Sequence, residues 1–177
     1  MRIEPQDYND LVIIDGWNLV HAIIDRIREL ENDPIEFDAC KHRIDMEMIF
    51  LSVAKSTPDF GFIVYFDSKH NDHTSFNSVG NQRNYCSVFC QKGIKADKLI
   101  VQNVTVAKRN FIGVEVVISD STIRCKLDKI GVISISNFFI SGMLVNYRNE
   151  IRNGQIMWSK ISEDCINKEL NNSQLKK

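Results

Sequence analysis

Three stretches of this chain share one form, a short apolar run that ends in an aspartate. They are Leu11-Val12-Ile13-Ile14-Asp15, Phe62-Ile63-Val64-Tyr65-Phe66-Asp67 and Gly113-Val114-Glu115-Val116-Val117-Ile118-Ser119-Asp120. Short runs that are nearly continuously apolar are what strands covered on both faces require. Segments with helical spacing separate them. The alternation predicts an α/β fold, a three-layer sandwich in outline, with a central, mainly parallel sheet of four or five strands and helices on both faces. In an open parallel sheet, ligands bind outside the carboxyl ends of the strands, which is where all three aspartates fall.

The rest of the chain fits this frame. Leu19, Val20, Ile23, Ile24, Ile27 and Leu30 predict a helix over 19–31, broken at Asn32-Asp33-Pro34. A second helix is expected over 36–55, a strand over 85–90, a helix over 97–109, a short helix over 121–129, a short strand over 131–135 and an apolar helix over 136–146 capped by Ser136 or Asn137. Residues 68–84 have almost nothing to bury and read as a polar, mobile loop of the kind that often carries function. The domain is expected over 1–147. Residues 148–177 read as a C-terminal appendage, a hairpin turning at Asn153-Gly154 and then a short helix or tail.

Composition narrows the function classes. A 177-residue chain, 44% hydrophobic and 25% charged, is long enough to bury a core without staples. Its net charge of −1 excludes a uniformly basic nucleic-acid coat, yet the charge is unevenly placed: residues 1–60 carry −7 and residues 61–177 carry +6. Five cysteines, an odd number, suit a reducing compartment. Cys86 and Cys90 lack partners at zinc spacing and, on a strand, read as small core residues on one face. No apolar run is long enough to span a membrane. The acidic N-terminus has neither signal-peptide nor obvious transit-peptide character, so a cytoplasmic location is expected.

The chemistry lies in the acids. Asp15, Asp67 and Asp120 converge on one sheet edge if their strands are neighbours, and Asp97, opening a helix after a short loop, reaches the same edge. Such carboxylates repel one another unless a cation lies among them. Hard oxygen donors in an open site suit Mg²⁺ or Mn²⁺. The competing reading is that each aspartate is a helix cap or a turn residue.

Five motifs in register carry a family resemblance over about residues 11–147. Asp15-Gly16-Trp17-Asn18 resembles the Asp-Gly-Tyr-Asn opening of the YacP-like NYN domains, a branch of the PIN-like nuclease superfamily. Tyr65-Phe66-Asp67 resembles their Val-Phe-Asp, the stretch from Val88-Phe89-Cys90 to Ala96-Asp97 their Val-Phe-Thr and Ala-Asp, Val117-Ile118-Ser119-Asp120 their Thr-Ser-Asp, and the stretch from Gly131 to Ser136 their Gly-Ala-x-x-x-Ser. Trp17, Cys90 and the Ile94-Lys95 pair depart from the usual Tyr, Thr and Glu-Thr. The resemblance implies a PIN-like three-layer sandwich and a metal-dependent endoribonuclease, similar to the bacterial ribosome-associated branch that cuts messenger RNA in the ribosomal A site. It implies one or two Mg²⁺ or Mn²⁺ ions on Asp15, Asp97 and Asp120, with Asp67 as a further ligand or acting through water, Asn18 orienting Asp15, and Ser119 and Ser121 supporting the ligands.

RNA contact is expected from the bases flanking the acids, Lys69, Arg83, Lys92, Lys95 and Lys98, which would neutralise phosphates without reading sequence. Trp17 is either a base-stacking residue or a core aromatic. His21, His70 and His73 are not needed by a metal mechanism. The alternative function is a catalytically inactive NYN-like module docking on a ribosome or on an RNA-processing or transcription complex. A DNA-directed nuclease would need arch and DNA-binding helices for which the chain has little room, and a toxin of a toxin–antitoxin pair would typically be shorter and lack Asp-Gly-x-Asn. An organelle with its own ribosomes, such as a plastid, fits the same features as a cytoplasm.

Overall fold

The computed structural model describes residues 8–31, 36, 38–78 and 82–174. The expected break at Asn32-Asp33-Pro34 lies outside the described residues, as do residues 1–7 and 79–81. In chain order the elements are β1 (Asp10–Asp15), α1 (Gly16–Glu31), α2 (Ala39–Ser56), β2 (Phe60–Phe66), β3 (Ser75–Asn77), β4 (Tyr85–Phe89), α3 (Ala96–Asn110), β5 (Gly113–Val117), α4 (Ser121–Lys129), β6 (Ile133–Ile135), α5 (Asn137–Asn146), α6 (Arg148–Arg152) and α7 (Trp158–Gln174). The sheet order is β3-β4-β2-β1-β5-β6. Every neighbouring pair is parallel except β3 with β4.

Strand residues alternate between two cores, one on each side of the sheet. Val12, Ile14, Phe62, Val64 and Phe66 pack with α1, α2, α5 and α7. Leu11, Ile13, Ile63, Tyr65, Val114, Val116 and Ile118 pack with α3 and α4. On α3 the buried residues are Ala96, Ile100, Val104 and Ala107, a stripe at helical spacing. This is the expected sandwich. Its sheet has six strands rather than four or five.

The additional strand comes from the segment that reads as a mobile loop. Ser68 Oγ accepts from the backbone N–H groups of His70 and Asn71 at 3.3 and 3.1 Å, forming a local turn. Asn71 O accepts from Lys92 N–H at 2.8 Å, and Thr74 Oγ1 accepts from Gln91 N–H at 3.2 Å. These bonds lay β3 along the open edge of β4, where strand pairing satisfies backbone groups that apolar burial alone does not call for.

The tail also differs from its expectation. The chain over 148–174 forms α6 and α7, not a hairpin. Gly154, with φ of 65°, supplies the left-handed residue that ends a helix, a role that Asn-Gly serves as well as it serves a hairpin turn. Helix α7 is firmly seated. The Trp158 indole is wholly buried, with ring centroids 6.0 Å from Phe50 and 5.7 Å from Phe62. Its backbone N–H donates to Thr57 Oγ1 at 2.9 Å, and its indole N–H donates to Glu115 Oε2 at 2.7 Å. Farther along, Glu169 pairs with Arg124 at 2.9 Å and accepts from Ser136 N–H at 3.3 Å. No helix among the described residues is long and apolar enough to cross a membrane.

Candidate functional site

The period-two rule sets the site. On β1, Leu11 and Ile13 face α3, so Asp15, two residues on, continues that face at the carboxyl end. On β2, Ile63 and Tyr65 do the same for Asp67. On β4, Cys86 and Val88 do so for Cys90. Because β4, β2 and β1 are adjacent and parallel, three neighbouring strand ends present Cys90, Asp67 and Asp15 on one face of one edge.

Between β1 and α1 there is no loop: Asp15 ends the strand and Gly16 begins the helix. A Cβ on Gly16 would lie 2.5 Å from the Phe66 ring and 2.8 Å from Tyr65 O, so only glycine permits this close passage. The helix then returns Asn18 beneath Asp15. Its side-chain amide donates to Asp15 Oδ2 at 2.6 Å. Asp15 is only 6% exposed. Burial pushes its carboxyl above the usual range, the bonds from Asn18 pull it back, and the negative charges of Asp67 and Asp97 push it up further.

Asp67 connects two elements. Its Oδ1 accepts from the N–H of Ala96 at 2.5 Å, so the end of β2 holds the first turn of α3. Asp97 is the next residue, and its Oδ1 accepts from Lys98 N–H at 2.6 Å. The Cys90 thiol lies among all three acids. It is pushed up to about 11, first by burial and then by Asp67, Asp15 and Asp97. In sequence Cys90 is a departure from a family threonine and a small core residue. The structure makes it the buried floor beneath the acids.

Asp120 sits at the same sheet edge, beyond β5, which neighbours β1. Its Oδ1 caps α4, accepting from Thr122 and Ile123 N–H at 2.8 and 2.9 Å. Here the capping role is realised. Ser119 and Ser121 flank it at the exposed surface.

Among the expected RNA-binding residues, Lys92, Lys95 and Lys98 are exposed on the connection from β4 to α3 and on the first turn of α3, at the rim of the acids. Lys69 is exposed just after Asp67. Arg83 is not brought to this edge. It precedes β4, and since β4 runs parallel to β2, Arg83 lies at the opposite end of the sheet, about 20 Å away at roughly 3.3 Å per residue. There its neighbour Asn84 donates to the carbonyls of Ala54 and Phe60, both at 2.9 Å. His21, His70 and His73 are all exposed.

Trp17 is half-buried. Its indole N–H donates to the backbone carbonyl of Asp67 at 2.9 Å, and its ring meets Phe66 edge-on at 5.3 Å. One side of the ring packs, as a core aromatic would, and the rest remains open.

Among the described residues, no group of three or more His, Cys, Asp or Glu side chains is placed so that it could hold a metal ion. The donor chemistry still suits one class of ion. Mg²⁺ keeps several waters and is commonly held by one or two carboxylates, and a buried carboxylate crowded by two like charges favours a hard cation.

Comparison with known proteins agrees with this architecture. The sequence model of the YacP-like NYN domain family matches residues 12–177. The crystal structure of a variant of Rae1 (YacP) from Bacillus subtilis superposes with a TM-score of 0.54 at 18% identity, covering 81% of this chain and 77% of that one. No curated protein matches the chain.

Proposed function

Since this chain belongs to the YacP-like NYN domain family, we propose that it is a divalent-metal-dependent endoribonuclease. It would hydrolyse RNA phosphodiester bonds, on messenger RNA in association with the ribosome. The observation that carries this reading is the gathering of Asp15, Asp67 and Asp97 around Cys90 at the carboxyl edge of a parallel sheet, with lysines on the rim.

Asp15, Asp97 and the Oδ2 of Asp120, whose Oδ1 caps α4, would hold Mg²⁺ or Mn²⁺. When bound, such an ion supplies a water of lowered pKa and neutralises charge on the scissile phosphate. The chain's own residues do the remainder. Asn18 fixes the orientation of Asp15. Asp67 anchors the first turn of α3 and so sets the position of Asp97. Lys92, Lys95 and Lys98 hold flanking phosphates as point charges, which positions the strand without reading its bases. In-line attack on the phosphorus, with departure of the 3′ oxygen, leaves a 3′-hydroxyl and a 5′-phosphate.

A catalytically inactive module that keeps the fold and binds RNA is the second reading, favoured by the lack of a three-ligand cage among the described residues. One assay separates the two. Wild-type chain and Asp97→Asn are incubated with single-stranded RNA in Mn²⁺ and in EDTA. The nuclease reading expects cleavage in Mn²⁺ alone, and a loss of about 100-fold or more in the variant, beyond what losing an outer-shell partner costs. RNA that is bound but never cut in Mn²⁺ overturns it in favour of the inactive module.

A further inference from the structure

The opposite face of the same edge carries a group of side chains that the acids do not use. Phe66 and Phe89, the last residues of β2 and β4, stack at 5.3 Å with an interplanar angle of 17° on the face away from α3. The Arg43 guanidinium, from the first half of α2, lies over both rings, 5.8 Å from the Phe66 centroid and 5.2 Å from that of Phe89. Trp17 meets the Phe66 ring edge-on, and Phe66 itself is wholly buried between its neighbours. Arg43 is held there by an ion pair with Glu47. Glu47 is only 6% exposed, and the second oxygen of its carboxylate accepts from the hydroxyl of Ser87, which is fully buried beside Tyr85.

A carboxylate buried this deeply is costly unless paired and hydrogen-bonded on both oxygens. Here both are occupied, and the outcome is a guanidinium immobilised against two rings while still 21% exposed at its side chain. Arginine planes and aromatic faces are the surfaces on which unpaired bases stack. Asp67 follows Phe66 directly, and Asp15 precedes Trp17 by two residues, so only the thickness of the sheet edge separates these groups from the acids.

We propose that Arg43 and Trp17, backed by Phe66 and Phe89, form a nucleobase subsite for single-stranded RNA. It receives the base of a nucleotide next to the one whose phosphate lies at the acids. This rests on the RNA-acting reading above and adds to it a place where bases, rather than phosphates, are held. Stacking of this kind tolerates any base, so the subsite selects unpaired strands over duplexes without selecting sequence.

The test uses the full chain in EDTA, so that RNA is bound and not cut. Trp158 is wholly buried, so quenching of tryptophan emission by a short single-stranded oligoribonucleotide reports Trp17. The expected result is quenching that Trp17→Phe abolishes. Arg43→Lys keeps the charge paired with Glu47 but loses the plane. It should weaken binding about fivefold or more, leave the salt slope unchanged, and melt as a folded protein. An oligonucleotide with an abasic position and all its phosphates should lose a similar factor against wild type, and little more against Arg43→Lys. If Arg43→Lys and the abasic strand leave affinity and quenching unchanged, the group is only structural and the proposal falls. Cleavage in Mn²⁺ is read separately. A chain that stacks RNA but never cuts it retains the subsite and loses the nuclease reading. A chain that cuts but is indifferent to Arg43→Lys and abasic strands does the reverse.

Discussion

A carboxylate buried beside two like charges works against the fold whenever it is ionised, and Asp15 is in that position. Its proton is held more tightly in the native state than in the unfolded chain, where 3.8 is the ordinary value. The native state therefore gains from protonation. That contribution is complete below pH 3.8 and is lost as pH rises through the raised native value. Asp15→Asn keeps the acceptor for Asn18 and removes the charge. Without added metal, the variant is expected to melt above wild type at neutral pH, with the gap closing as pH falls below the usual carboxylate range. Thermal melts across pH check this. A variant that melts well below wild type at neutral pH would mean that the ionised carboxylate stabilises the fold. Adding Mn²⁺ should raise the wild-type melting temperature more than that of the variant, since an ion bound only by the native state stabilises it.

At the scale of elements, one carboxylate serves two donors of the last helix. Glu115 Oε2 accepts from both the Trp158 indole at 2.7 Å and the Ser162 hydroxyl at 2.8 Å. Glu115→Ala strands both donors, and a loss of about 1–3 kcal/mol is expected for a buried group left unpaired. Glu115→Gln keeps an acceptor and removes a charge whose ionisation burial already opposes, so it should recover most of that loss. Denaturant titrations of the two variants give the comparison. The alternation of strands and helices is legible in the sequence because apolar runs and helical stripes dictate it, and the acids that end β1 and follow β2 and β5 are legible because they break those runs. The strand β3 is not, since backbone pairing to β4 holds it and its own side chains bury little. Asn153-Gly154 misleads because a left-handed glycine ends helices and turns hairpins alike. The placement of Arg83 needs strand direction: it precedes a strand parallel to β2, and no local pattern states at which end of the sheet it falls. Arg43 gives no local signal either. Its partners Glu47, Phe66 and Phe89 are assembled from three elements.

For the molecule as a whole, the sign asymmetry along the chain becomes a spatial one at the site. Lys92, Lys95 and Lys98 stand where the connection from β4 enters α3, beside the acids they must offset. Changing all three to Gln should weaken single-stranded RNA binding and lower its salt slope by about 0.7 for each lysine that pairs with a phosphate, roughly two in total. Arg83→Gln, at the far end of the sheet, should leave the slope alone. Binding titrations over a range of salt decide it, and equal effects from both variants would place the RNA path elsewhere. The seating of α7 also bears on how the chain is made. The acids and their strands lie within the first 120 residues, but the core beneath α2 and β2 lacks its central indole until Trp158 has been synthesised and α7 has docked. At synthesis rates of about 5–20 residues per second, the 54 residues from Asp120 to Gln174 take about 3–11 s. Throughout that interval a growing chain has its acids without a closed core, so a nascent copy gains its finished site only after α7 has been made and has docked.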